Sequence, residues 1–342
     1  MQDSKRHDRL RAKFTPAFIG KDVLEGAEAI VDDHLTTLLE LIEQKYITTP
    51  DSYSPMDLTK VITYLTTENT SCMVLGQDFE CVKRDDGFHG YNHSIESCLH
   101  VLSSLIVLPA FQKFMDTPWL RSIDLMRPAL RPILDIAESS AAKRFGEKRI
   151  EKKDMLAVKA TILYIISSPT VYRKLQQEID ESLASGRVTT SPISSSQTRE
   201  LPYLQAVIKE SLRSFPPAVI LPAASGQGEV VCGKLVPAGT NVEPSLKTAA
   251  RDKGVYGDDA DSFRPERWIE ADGEKLRAME ETSRLIWGGP GRWECLGKKI
   301  ALIELDKVFF EVSLALVEFD LLLKILTNLY LKPSCSDDST WL

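Results

Sequence analysis

The stretch Gly288-Gly289-Pro290-Gly291-Arg292-Trp293-Glu294-Cys295-Leu296-Gly297-Lys298-Lys299 decides the interpretation of this chain. It places one cysteine in a glycine-rich loop directly before a predicted helix over residues 297–316. Unsatisfied backbone N–H groups and the positive end of the helix dipole favour the thiolate form of such a cysteine. The thiolate could be a nucleophile or a metal ligand, and the glycines, which carry no Cβ, would let a flat cofactor approach the backbone. An isolated cysteine of this kind is, however, more often an ordinary loop residue.

A second motif, Glu210-Ser211-Leu212-Arg213, lies in a predicted helix over residues 203–215. Glutamate and arginine three positions apart on a helix can pair, but a surface pair contributes only about 0.2 to 0.5 kcal/mol. At about 100° per residue, Glu210 and Arg213 fall opposite the apolar stripe of the helix. Periodicity alone therefore predicts a solvated salt bridge.

The third motif, Phe263-Arg264-Pro265-Glu266-Arg267-Trp268, is a proline-containing turn with two arginines and two large aromatic residues. By itself it predicts an anchoring turn whose aromatic side chains enter the core.

Taken together and in this order, the three motifs resemble the signature set of the cytochrome P450 haem-thiolate monooxygenases. The resemblance implies that Cys295 is the axial ligand of a haem iron, with Arg292 near the haem. It also implies that Glu210, Arg213 and Arg267 form a structural cluster, in which Arg267 and the loop before Cys295 cover the Glu210–Arg213 pair and bury it. The sequences Trp-x-Cys-Leu-Gly and Phe-Arg-Pro-Glu-Arg-Trp are similar to those of fungal members in secondary metabolism.

The remaining pattern predicts a mainly α fold with a small β region, similar to an incomplete cytochrome P450 fold. Helices are expected at 22–46, at 56–75, in 97–114 as far as Pro109, at 160–183 and at 297–316. The helix at 160–183 is interrupted near 167–169, where Ser168 could cap a new helical start at Pro169. A loop is expected at 189–198 and a small hairpin at 229–240. No linker or composition shift divides the chain, so residues 1–342 are interpreted as a single domain with an atypical tail at 324–342.

Composition narrows the class of protein. Forty-two Lys and Arg residues against 49 Asp and Glu residues leave a net charge of −7, which argues against nucleic acid as the partner. The six cysteines show no Cys-x-x-Cys spacing, which favours a reducing, intracellular compartment. Neither a signal peptide nor a transmembrane run is recognisable, so the chain is expected to be soluble or peripheral and to lack a membrane anchor. An intact family member would be expected at the endoplasmic reticulum membrane.

The sequence departs from the family pattern in several places. The motif Ala/Gly-Gly-x-Asp/Glu-Thr, which helps deliver protons during oxygen activation, is missing near residues 153–161, so an internal deletion is expected. The chain begins near a basic helix at 7–14, which indicates truncation. Trp293 stands where most members have an arginine, leaving Arg292 and one of Arg9, Arg11 and Lys13 to pair with haem propionates.

The function implied by the resemblance is haem-dependent oxidation of a small organic substrate, a natural product, with electrons from an NADPH-dependent reductase. Two alternatives remain: a non-catalytic remnant that lacks the oxygen-activating helix, and a helical interaction protein. Lys298 and Lys299 could belong to a docking surface for the reductase, although exposed lysines need no such role. His89, His93 and His100 could share a metal but are more simply solvated or core histidines.

Overall fold

The computed structural model describes residues 4–47, 54–76, 78–87, 161, 164–165, 167–216, 223–224, 228–238, 240–242, 245–289 and 291–318. The predicted helix at 97–114, the three clustered histidines, residues 153–160 and the tail at 324–342 lie outside this part of the chain. Within the described residues, no helix combines the length and the apolar character needed to cross a membrane.

The N-terminal third is helical, as the apolar periodicity predicts. Asp57 begins one helix by accepting a hydrogen bond from the Lys60 backbone N–H at 3.1 Å, and Gly76 ends it in the left-handed conformation. The elements are α1 (Ser4–Phe14), α2 (Pro16–Ile19), α3 (Lys21–Leu41) with a following π-helical turn (Ile42–Tyr46), α4 (Leu58–Leu75) and α5 (Cys81–Arg84).

Three helices follow in the middle of the chain: α6 (Pro169–Ala184), α7 (Ser195–Thr198) and α8 (Pro202–Ser214). Ser168 occupies the position before α6, but its side chain makes no capping bond, and Pro169 begins the helix instead. The prediction of a loop over residues 189–198 is wrong for its last four residues, which form helix α7 (Ser195–Thr198). Ser194 and Gln197 form a reciprocal capping box there, which satisfies the backbone of a one-turn helix.

The β structure is small. Strands β2 (Glu229–Val231) and β3 (Lys234–Val236) form the predicted antiparallel hairpin, with a tight turn at Cys232 and Gly233, both at positive φ. A pair that the sequence does not predict joins β1 (Ala223–Ala224) to β4 (Asn241–Val242). The fold is mainly α with a small β region, as predicted.

The last third of the chain contains Arg267 and Cys295. Short helices α9 (Leu246–Ala249), α10 (Lys253–Tyr256) and α11 (Arg267–Glu270) precede α12 (Gly273–Ser283), which runs into a 3-10 turn (Arg284–Trp287). A second 3-10 turn (Gly291–Trp293) leads to the long helix α13 (Lys298–Glu318), which confirms the predicted helix there.

The main core lies where α13 packs against α3, α6, α7 and α8. Its most completely buried side chains include Leu35, Leu65, Leu175, Leu204 and Phe309. A smaller apolar cluster joins α8 to α10, α11 and α12 through Ala206, Tyr256, Ala260, Trp268 and Met279. Most of the α13 side chains between Ala301 and Ala315 are buried, so the helix that follows the cysteine loop is anchored in the core.

Candidate functional site

Glu210 lies on α8 with its side chain fully buried, and its carboxylate is the acceptor around which the three-residue cluster forms. The guanidinium of Arg213 donates to both carboxylate oxygens, at 2.9 and 2.7 Å. Arg267 Nε and the Arg264 backbone N–H donate to Oε1 at 3.1 and 2.8 Å, and Trp268 Nε1 donates to Oε2 at 2.9 Å. Charge-assisted bonds of this kind are the strongest hydrogen bonds in proteins.

Arg213 is 1% exposed, yet each of its five N–H donors has an acceptor. Two bonds go to Glu210, and the other three go to backbone carbonyl oxygens: those of Ala250 at 2.7 Å, Ala260 at 2.6 Å and Ser262 at 3.0 Å. The guanidinium carbon also lies 5.2 Å from the centre of the Tyr256 ring. The cation therefore ties α8 to the segment that follows α9.

Arg267, also 1% exposed, is satisfied in the same manner. Besides Glu210, it donates to the carbonyl oxygens of Tyr256 at 2.6 Å, Asp259 at 2.9 Å and Ser262 at 3.1 Å, and to Asp259 Oδ1 at 2.9 Å. The two arginines share the Ser262 carbonyl. The turn at 256–267 is thus folded around two buried guanidinium groups.

The solvated salt bridge predicted from periodicity is therefore not observed. The polar side of α8 is covered by residues 250–268, a second layer that the helix's own pattern cannot reveal. The structure brings Glu210, Arg213 and Arg267 together, and Trp268 is a fourth member that sequence reasoning assigned only to the core. Within the described residues, the hydrogen-bond partners of the cluster all lie between residues 210 and 268. The cysteine loop, which the resemblance implies as a covering layer, donates and accepts none of these bonds.

The connection from the cluster to the cysteine loop runs through α12. Tyr256 Oη donates to the Met279 carbonyl at 3.4 Å, and the 3-10 turn at the end of α12 terminates in Trp287. The Trp287 carbonyl accepts a 2.7 Å hydrogen bond from the Cys295 backbone N–H. The backbone of the cysteine is consequently bonded to an element that the buried cluster supports.

The loop closes tightly at its first glycine. Gly288 adopts a φ of 89°, and a Cβ built there would clash with the Trp293 carbonyl oxygen. Gly289 and Gly291 also have positive φ, but a Cβ at either position would meet nothing within 4 Å. Gly288 is therefore required for close backbone approach, whereas the other two leave open space beside the loop.

The Cys295 side chain is exposed, three residues before the first turn of α13. One soft sulfur donor at a helix N-terminus, beside glycines with open space, fits a flat group whose metal takes a single protein thiolate. Arg292 lies within the 3-10 turn Gly291–Trp293, and its side chain is outside the described residues.

Helix α1 packs against this loop. The ring of His7 lies 4.2 Å from that of Trp293, and Arg11 Nη1 donates to the Glu294 carbonyl oxygen at 2.5 Å. The Glu294 carboxylate in turn accepts from Lys298 Nζ at 3.0 Å, and this bond, with the charges of Lys298 and others nearby, lowers the pKa of Glu294. The contact of Arg11 with the loop backbone has no sequence pattern that predicts it.

Comparison with known proteins confirms the family that the three motifs resemble. Residues 155–324 match the cytochrome P450 family. The chain is 31% identical to cytochrome P450 monooxygenase ABA1 of Pyricularia oryzae, over 91% of this chain and 68% of that protein. It is 28% identical to cytochrome P450 monooxygenase abl1 of Leptosphaeria maculans, over 90% of this chain and 60% of that protein. Cytochrome P450 monooxygenase mpaDE of Penicillium roqueforti is also 28% identical, over 94% of this chain and 41% of that protein.

The family match and the relatives define the class of this protein: they are cytochrome P450 monooxygenases. The chain belongs to the cytochrome P450 family, and its relatives are fungal monooxygenases of that family. It is accordingly an oxidoreductase by class, in a family that binds haem and acts on small molecules with electrons from reductases.

Proposed function

We propose that Cys295 is the thiolate ligand of a haem bound against residues 288–297, and that the chain oxidises a small natural product. The observation that carries this proposal is an exposed cysteine at the N-terminal end of the buried helix α13, in a loop closed by backbone hydrogen bonds. The donor set agrees with it, since a single thiolate is the protein ligand that favours O–O bond cleavage.

When bound, the haem supplies the oxidising chemistry, in which one oxygen atom of dioxygen is transferred to the substrate. The protein's part is to hold the ligand. The bond from the Cys295 N–H to the Trp287 carbonyl orients the residue, and the helix end favours an ionised sulfur. Lys298 adds positive charge near the thiolate, although its ion pair with Glu294 offsets part of it.

The haem propionates would need cationic partners. Arg292 and Arg11 are our candidates, because Arg292 lies in the loop itself and Arg11 contacts the residue beside the cysteine. The buried cluster of Glu210, Arg213 and Arg267 has a supporting role: it stabilises the segment beneath α12 and takes no part in proton transfer.

The natural-product substrate is supported by the likeness of the motifs to fungal secondary-metabolism enzymes and by the fungal sources of the relatives. For the electron donor we propose an NADPH-dependent reductase, and for the location the endoplasmic reticulum membrane, as the family implies.

One observation favours the second candidate, a non-catalytic remnant. The alignment with the Pyricularia protein runs over 351 positions, more than the 342 residues of this chain, although it includes only 91% of them. The relative therefore contains internal stretches that have no counterpart here. This supports an internal deletion, and the missing Ala/Gly-Gly-x-Asp/Glu-Thr motif is a candidate for what it removed.

The test is spectroscopic. The full chain is expressed with haem precursor, reduced and exposed to carbon monoxide. We expect the strongly red-shifted Soret band of thiolate-ligated haem in the parent and in Cys232→Ser, which removes an exposed hairpin cysteine, but not in Cys295→Ser. A folded chain that takes up no haem would overturn the proposal. Haem binding without substrate turnover in the presence of a reductase would favour the remnant.

A further inference from the structure

A second group of potential metal ligands lies away from the cysteine loop, where α3 meets α4 and the segment after it. One ring nitrogen of His34, one carboxylate oxygen of Glu68 and one of Asp78 all lie within 4.8 Å of one another. His34 is 4% exposed and Glu68 is 2% exposed, whereas Asp78 is on the surface. Nothing in the proposed oxidation uses these residues.

The hydrogen bonds around His34 select its tautomer. Asn69 donates through Nδ2 to Glu304 Oε1 at 2.8 Å, so its amide oxygen is the atom that faces the ring. That oxygen lies 2.7 Å from His34 Nδ1, which must therefore carry the proton. Nε2 is then the ring nitrogen that remains for a metal, which histidine binds through the lone pair of an unprotonated ring nitrogen.

The chain Glu304–Asn69–His34 has the form of the outer hydrogen-bonded residues found behind metal-bound histidines. Such partners hold the ring orientation and raise the basicity of the ligand nitrogen. Glu304 belongs to α13, so the arrangement links α3 and α4 to the helix that follows the cysteine loop.

The carboxyl groups of Glu68 and Asp78 lie close together, next to the His34 ring. Glu68 Oε2 accepts from the Val82 backbone N–H at 3.1 Å, and its neighbour Asp78 accepts from the Glu80 N–H at 2.7 Å. Burial, and then the hydrogen bond with Asp78, raise the pKa of Glu68 to about 8. Two carboxyl groups and an imidazole lone pair repel one another unless a proton or a cation lies between them.

We propose that His34 Nε2, Glu68 and Asp78 bind a divalent cation of the zinc class, with water from the exposed Asp78 side completing the coordination. One imidazole and two carboxylates suit zinc, whereas magnesium and calcium prefer oxygen ligands alone. Bonds of about 2 Å require ligand atoms closer together than 4.8 Å, so the three side chains must move towards the cation when it binds.

The test uses the full chain, stripped with a chelator and titrated with Zn²⁺ by calorimetry. Asp78→Asn removes the exposed ligand without changing its shape, and Asp86→Asn is the matched control, an exposed aspartate outside the group. We expect Asp78→Asn to weaken binding at least about tenfold and Asp86→Asn to leave it within about twofold. Equal affinities in these two variants would overturn the proposal.

Glu68→Gln gives a second variant that retains the fold, because glutamine imitates the protonated carboxyl. It is expected to remain as stable as the metal-free parent and to lose the zinc response. Substitution with Co²⁺ separates this site from the cysteine loop, since thiolate ligation produces an intense near-ultraviolet charge-transfer band. Co²⁺ binding without that band supports the proposed site. If the only sign of Co²⁺ binding is the thiolate band, and Cys295→Ser abolishes it, the proposal is refuted.

Discussion

Arg11 donates a 2.5 Å hydrogen bond to the backbone carbonyl of Glu294, across 283 positions of sequence. The contact joins the helix at the start of the chain to the residue directly before Cys295. It means that the geometry of the cysteine loop depends on α1 as well as on α12 and α13.

Replacing Arg11 with glutamine should loosen the loop, because a hydrogen bond from a charged donor contributes about 1.5 to 3 kcal/mol and this one is partly buried. We expect a lower thermal midpoint and less haem retained per chain than in the parent. Lys21→Gln, an equal charge change at an exposed site at the start of α3, is the control. Identical haem retention in the two variants would refute a role for the contact.

Glu210→Gln should strongly destabilise the folded chain. It removes the charge that two fully enclosed arginines share, and breaking a buried ion pair costs about 3 to 5 kcal/mol. Denaturant unfolding measures the loss. Glu280→Gln breaks an exposed pair with Lys209 and should cost less than about 1 kcal/mol. A similar loss in both variants would contradict the cluster's importance.

Lys307 is a fully buried cation on α13. It lies 2.6 Å from Asp32 Oδ1 and 3.2 Å from Glu28 Oε1 on α3, and it donates to the Ile193 carbonyl. Lys307→Met fills the same space but leaves two partly buried carboxylates without their cation, so we expect a loss of about 3 kcal/mol in unfolding free energy. Lys299→Met, on the exposed side of the same helix, should change it little. A tolerated Lys307→Met would show that the carboxylates are adequately solvated.

Asp306 should make stability depend on pH. Burial raises its pKa from 3.8 to about 6, against the bonds from Gln205 and Thr198 that lower it. The folded state therefore binds the proton more tightly, and the stability from this group, present below pH 3.8, is lost as pH rises through 6. The loss amounts to about 2 to 3 kcal/mol.

Asp306→Asn lacks this proton, so its advantage over the parent should grow as pH rises from about 4 to 7 and then level off. Urea unfolding across that range measures the difference, with Asp258→Asn as the exposed control. Parallel pH profiles for parent and Asp306→Asn would disprove the assignment.

Gly288→Ala and Gly289→Ala form a matched pair in the loop. Both positions have positive φ, so both variants bear a backbone strain of about 1 kcal/mol or more, but only the alanine at 288 clashes with the Trp293 carbonyl. We expect Gly288→Ala to lose most of its haem and Gly289→Ala to keep the larger part, as measured by Soret absorbance per chain. Equal losses of haem in the two variants would show that the backbone strain, and not the clash at position 288, determines haem retention.

The sequence pattern was sufficient to predict those structural features that depend only on residues close together in the sequence. The helices at 22–46 and 56–75, the hairpin turn at Cys232 and Gly233, and the helix after Cys295 follow from periodicity and turn chemistry. The order of the three motifs was enough to indicate the family, which the comparisons confirm. The position proposed for the haem ligand also came from sequence alone.

Only the tertiary structure decided which polar side chains are buried. Glu210 and Arg213 lie opposite an apolar stripe, yet residues 250–268 enclose them, and Glu304 and Lys307 on α13 are buried by partners on α3 and α4. The physical reason is that periodicity shows only which side of a helix is apolar and which is polar. Whether a polar side is covered depends on hydrogen-bond partners that come from distant parts of the chain.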